Sequence, residues 1–92
     1  MRSIMQYKKC CYFCSRLDDL ERHHVIHGTA GRKTAEKLGL WIWLCSYHHR
    51  TGPEAVHKDA KIDENLKKHA QTIYESRHSH EEWMRHVGRN YL

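Results

Sequence analysis

The chain has 92 residues, with 16 Lys and Arg against 11 Asp and Glu, ten His and four Cys, and a formal net charge of +5. A chain this short buries a limited fraction of its surface and commonly needs a staple such as a metal ion. Met1 to Gln6 lacks the apolar core of a signal peptide and no run reaches membrane-spanning length, so a secreted disulfide framework and a membrane protein are both set aside. The expectation is a cytoplasmic chain with reduced thiols, whose positive surplus suits a polyanion.

In chain order, Met1 to Lys9 reads as a lead-in without chemistry, in which Ile4 and Met5 can cover one edge of a small core. Cys10-Cys11-Tyr12-Phe13-Cys14 follows. Cys11 and Cys14 have the two-residue gap that lets a tight turn present two thiolates to one zinc ion. Leu20 to Ile26 has room for a short strand, on which period two puts His23 and His24 on opposite faces. His27-Gly28-Thr29-Ala30-Gly31-Arg32-Lys33 reads as a basic loop with close backbone approach at its glycines. Thr34 to Leu38 then makes a helical turn ending at Gly39.

Leu40 to Leu44 is continuous, apolar and aromatic, a second strand pairing with the first as a hairpin. Cys45 to Thr51 opens a short helix that Gly52-Pro53 breaks, with His57 in an irregular stretch beyond. From Asp59 the pattern is helical, with Ile62, Leu66, Ala70, Ile73 and the stem of Arg77 at helical spacing. Ser79-His80-Glu81-Glu82 is a capping box for a last helix, whose apolar stripe is Trp83, Met84 and Val87. These two helices read as scaffold.

Two ligand sets stand out. Cys11, Cys14, Cys45 and His48 form a CxxC…CxxH set suited to a structural, tetrahedral zinc ion. His49 is an alternative to His48, since both lie within one helical turn of Cys45. Cys10 is the spare thiol. His48 and His49 point about 100° apart on a helix, so one can serve the zinc while the other faces the hairpin. That makes His49 a partner for His23 at a second metal.

Glu21-Arg22-His23-His24-Val25-Ile26, followed by Leu44-Cys45-Ser46-Tyr47-His48-His49, resembles the HNH (ββα-metal, His-Me finger) endonucleases. The chain is most similar to small phage-borne members related to the RecA-dependent recombination-enhancement nuclease. The shared features are a CxxC before the His-His strand, the His48-His49-Arg50-Thr51-Gly52 segment, Val56-His57, and a helical tail ending near Gly88-Arg89-Asn90-Tyr91. The likeness covers about residues 11 to 92. It implies an α+β fold made of one HNH domain, with a zinc knuckle and ββα core over 10–58 and a helical tail over 59–92.

By the same resemblance, His24 matches the general base, and His23, His49 and His57 match ligands of a catalytic divalent cation, Mg²⁺ or another. Arg32, Lys33 and Arg50 are candidate phosphate contacts. The implied activity is hydrolysis of DNA phosphodiesters, with a recruiting partner such as a RecA filament, in a bacterial host's cytoplasm. Residues 25 to 44 contain no asparagine where the family has its middle one. Leu40 or Gly39 occupies that place, and steadying the base falls to a backbone carbonyl or Thr34. The alternative is a non-catalytic zinc module that binds nucleic acid or protein.

Overall fold

Strands β1 (Leu20–His24) and β2 (Trp41–Cys45) pair antiparallel in the computed structural model, which describes residues 1–92. The register sets Leu20 opposite Cys45, His23 opposite Ile42 and His24 opposite Trp41. β2 is apolar throughout, and only Trp43 of its five residues keeps appreciable exposure. A two-stranded sheet is marginal alone in water. Here Leu40, Ile42, Leu44 and Val25 enter a core completed by Leu66, Ala70, Tyr74 and Trp83 from the later helices.

The connection between the strands is not the loop expected from its glycines. It is helix α1, Gly28–Leu38, which includes Arg32 and Lys33. A connection folded against the sheet must satisfy its own backbone N–H and C=O groups, and a helix does so internally. That gain, with burial of Ala35, outweighs the poor helix propensity of Gly28 and Gly31.

Helix α1 ends where expected, at Gly39, whose φ of +76° is the left-handed cap conformation. The lead-in packs directly against that cap. Ile4 N–H donates to the Gly39 carbonyl (2.9 Å), and a Cβ on Gly39 would collide with the Arg2 carbonyl oxygen. Gly39→Ala is therefore expected to destabilise the protein by more than the roughly 1–2 kcal/mol of the left-handed conformation alone. A denaturant melt that leaves the midpoint unchanged would show that the lead-in is not seated there. The lead-in also lies along β2: the Trp43 N–H donates to Gln6 Oε1 (2.8 Å), and Ser3 Oγ donates to the Trp41 carbonyl (2.5 Å).

After β2 the chain makes one wide turn, Tyr47–Thr51, closed by Gly52 N–H to the Tyr47 carbonyl at 2.8 Å. This i→i+5 spacing is a π turn where an α-helical one was expected. Gly52 is required because a Cβ there would run into the Tyr47 ring and carbonyl. Such turns concentrate at functional positions.

Helix α2 (Ala60–Glu75) starts at an Asp59 cap whose carboxylate accepts the N–H groups of Lys61 and Ile62, and α3 (His80–His86) starts with the Ser79–Glu82 capping box. Arg77 lies beyond α2 and is exposed, so Tyr74 and Gln71 take the inward positions instead. Gln71 is fully buried with its amide satisfied: it donates to Glu75 and Asn90 and accepts the Tyr91 N–H. With Trp83 Nε1 donating to the Arg89 carbonyl (2.8 Å), this ties the C-terminal tail to the helices. No helix is long and apolar enough to cross a membrane.

Candidate metal centres

The CxxC turn is held against β2 by Tyr12 N–H donating to the Trp43 carbonyl (2.8 Å) and is closed by Ser15 N–H to the Cys11 carbonyl (2.8 Å). This brings Cys11 and Cys14 to Cys45 at the end of β2 and to His48 in the π turn. One donor atom from each of the four lies within 4.8 Å of the others. Cys14 Sγ and Cys45 Sγ are 3.8 Å apart. A zinc ion about 2.3 Å from each sulfur has a tetrahedral edge of about 3.8 Å. His48 Nδ1 stands 3.3 Å from Cys45 Sγ and 3.6 Å from Cys11 Sγ, on the scale of the shorter sulfur–nitrogen edge.

Charge in this group is poised for a cation. Burial opposes ionisation of Cys11, but backbone N–H groups of Cys45, Cys14 and Phe13 together outweigh it and lower its pKa to about 6. Cys14 is pushed the other way. The Arg16 N–H favours its thiolate, yet desolvation and the Cys11 and Cys45 sulfurs prevail. Several thiolates cannot share this space without a positive centre, and the group can hold a metal ion such as zinc. Between the two histidines the geometry selects His48, and Cys10 stays outside, its sulfur 3.8 Å from the Gln6 amide.

His49 turns the opposite way. Its Nδ1–H donates to Glu21 Oε1 (2.5 Å), which leaves the Nε2 lone pair facing His23 Nδ1 at 3.3 Å and His57 Nε2 at 3.0 Å. A carboxylate behind an imidazole in this way fixes the tautomer and raises its strength as a ligand. About 3.3 Å is the tetrahedral edge for nitrogens about 2.0–2.1 Å from zinc. Burial, then the neighbouring His49, His27 and His57, depress the His23 pKa to about 3. Desolvation and the same kind of neighbours lower that of His57. Both rings are therefore neutral at physiological pH, the form that ligates a cation.

His24 and His23 diverge, as strand alternation requires: His23 is buried and His24 only partly so. His24 Nε2 meets Glu36 Oε2 at 2.7 Å, and Arg22 pairs with the other oxygen of the same carboxylate. Glu36 on α1 thus holds the His24 ring, where the sequence had suggested Thr34 or a backbone carbonyl. The carboxylate is kept ionised chiefly by the His24 hydrogen bond, with Arg22 adding to it.

His23, His24, His49 and His57 line one open cavity of about 450 Å³ with no apolar side chain in its wall. Arg22, Arg32 and Arg50 also face it. Lys33 does not, because successive residues of α1 point about 100° apart.

Two further residues at this centre, like Glu21 and Glu36, had no role assigned from the sequence. His27 lies 2.5 Å, Nε2 to Oδ1, from Asp63 in the first turn of α2. Burial opposes ionisation of Asp63, but hydrogen bonds from Lys67 and His27 hold its pKa down. Nothing in the local spacing announces the pair, whose members are far apart in the chain.

Comparison with protein-family models, with curated proteins and with solved structures finds no match to this chain.

Proposed function

We propose that this protein is a metal-dependent DNA endonuclease or nickase built on a ββα-metal core. The observation that carries the reading is one basic cavity that holds three convergent imidazole nitrogens and a fourth imidazole, His24, braced by a carboxylate. On this reading, the two paired strands and the π turn stand for that core's two strands and final element, and the cysteine group for its zinc knuckle.

Phosphodiester hydrolysis needs a nucleophile made from water, neutralisation of the phosphate and help for the leaving oxygen. His23, His49 and His57 would hold a divalent cation, which as a Lewis acid would supply the last two. The protein's own groups do the rest. Glu36 accepts the Nε2 proton of His24, so the lone pair resides on Nδ1, the nitrogen that takes the proton from water. Arg22, on the other oxygen of Glu36, helps keep that carboxylate ionised and so leaves the Nε2 proton on His24. Glu21 performs the matching service for His49 by accepting its Nδ1 proton. Arg32 and Arg50, both lining the cavity, are candidates to meet the phosphates flanking the scissile one. So small a surface offers little direct base readout, which favours a recruiting protein.

One observation favours a second reading, a zinc module without catalysis. The Arg22–Glu36–His24 network also serves as a plain tie between α1 and β1. Supercoiled plasmid decides between them. The nuclease is expected to nick it with Mg²⁺, Mn²⁺ or Ni²⁺ and to stop in EDTA. No nicking with any of the three replaces the nuclease by the zinc module.

A further inference from the structure

The three-histidine set leaves part of His23 unused. Its Nδ1 faces His49, while its Nε2 is shut off from solvent with no hydrogen-bond partner, in a residue only 2% exposed. A polar atom buried in this way destabilises the fold unless something meets it. Beside His23 stand the His27 ring, 5.4 Å away between centroids, and Asp63. Donor atoms of His23, His27 and Asp63 all fall within 4.8 Å of one another. Lys67 Nζ occupies the second oxygen of Asp63 at 2.7 Å, which leaves Oδ1 directed at His27.

We propose that His23 Nε2, His27 and Asp63 form a second divalent-cation site, abutting the three-histidine set and sharing His23 with it. Two imidazoles and one carboxylate suit borderline ions such as Zn²⁺, Co²⁺ or Mn²⁺, and three protein ligands leave coordination positions open. Binding replaces the hydrogen bond between His27 and Asp63: the ion takes His27 Nε2, and the ring proton moves to Nδ1. When both neighbouring sites are filled, His23 carries an ion on each nitrogen and releases its single N–H proton to solvent. Because Asp63 belongs to α2, the ion would bridge the hairpin to the helical tail, which then contributes a ligand as well as support. The site does not depend on whether the protein cuts DNA.

The test is calorimetric titration of the full chain with Co²⁺, its cysteine group kept zinc-loaded and loosely held metal removed beforehand on a chelating resin. The wild type should take up two equivalents, the second with proton release that shows as a buffer-dependent heat. Asp63→Asn preserves shape and should lose one equivalent or weaken it at least tenfold. His27→Gln, at an exposed position with little bearing on folding, should do the same. His57→Ala should remove the other equivalent and spare this one. A single wild-type equivalent that both substitutions weaken tenfold also supports the site, as the one occupied. Unchanged stoichiometry and affinity in Asp63→Asn and His27→Gln overturn it. Failure of the nuclease reading would show separately, in the plasmid assay alone.

Discussion

Cys14→Ser is expected to yield no folded protein. The residue is exposed, so serine removes one of the four donor atoms that could hold a metal while sacrificing almost no packing, unlike the same change at buried Cys11 or Cys45. Structural zinc sites contribute on the order of 10–16 kcal/mol in small peptides, because no site pre-exists in the unfolded chain. That matches or exceeds the roughly 5–15 kcal/mol of net stability of an ordinary domain. Circular dichroism should show a largely disordered or aggregated chain, and wild type treated with a strong chelator should resemble it. A zinc-free Cys14→Ser protein that melts cooperatively would remove the ion from the structural account.

His24→Ala should abolish cleavage while leaving metal content and fold close to wild type, since His24 belongs to neither ligand group. Loss of one general base commonly lowers the rate by about 10² to 10⁴. His49→Ala should behave differently, because it removes a nitrogen that meets both His23 and His57. Activity there should come to depend on added metal. Glu36→Gln keeps the contact with His24 but not its charge, and should fall between wild type and His24→Ala. Cleavage by His24→Ala at the wild-type rate would mean that the base lies elsewhere or that a contaminating nuclease was measured.

The cysteine group was visible in the chain because it rests on two short spacings, Cys11 to Cys14 and Cys45 to His48, while the imidazole group was visible only through the two His-His pairs, His23-His24 and His48-His49, with His57 added by the resemblance. Which of His48 and His49 faces the sulfurs was not visible. The answer depends on the phase of the backbone after β2, and a π turn shifts that phase from the α-helical expectation. Glu36 stayed hidden for a related reason. With α1 read as a loop up to Thr34, no helix face connected Arg22 and His24 to a carboxylate twelve residues beyond His24. Asp63 and Gln71 were harder still. Their roles exist only once α2 has docked, and amphipathic spacing says which face of a helix is buried without saying which loop or tail it will meet.

The π turn also couples the two centres. His48 and His49 are consecutive, and one turn of backbone aims the first at the sulfurs and the second at the imidazoles. The turn is already held by Gly52 N–H on the Tyr47 carbonyl, Val56 N–H on the His48 carbonyl (2.9 Å) and Glu21 on His49. An ion closed on the cysteine group would tighten the same stretch of backbone that aims His49. If both centres are loaded as proposed, filling the first would sharpen the common focus of His23, His49 and His57, and zinc supply would bear on how many molecules can hold the second ion.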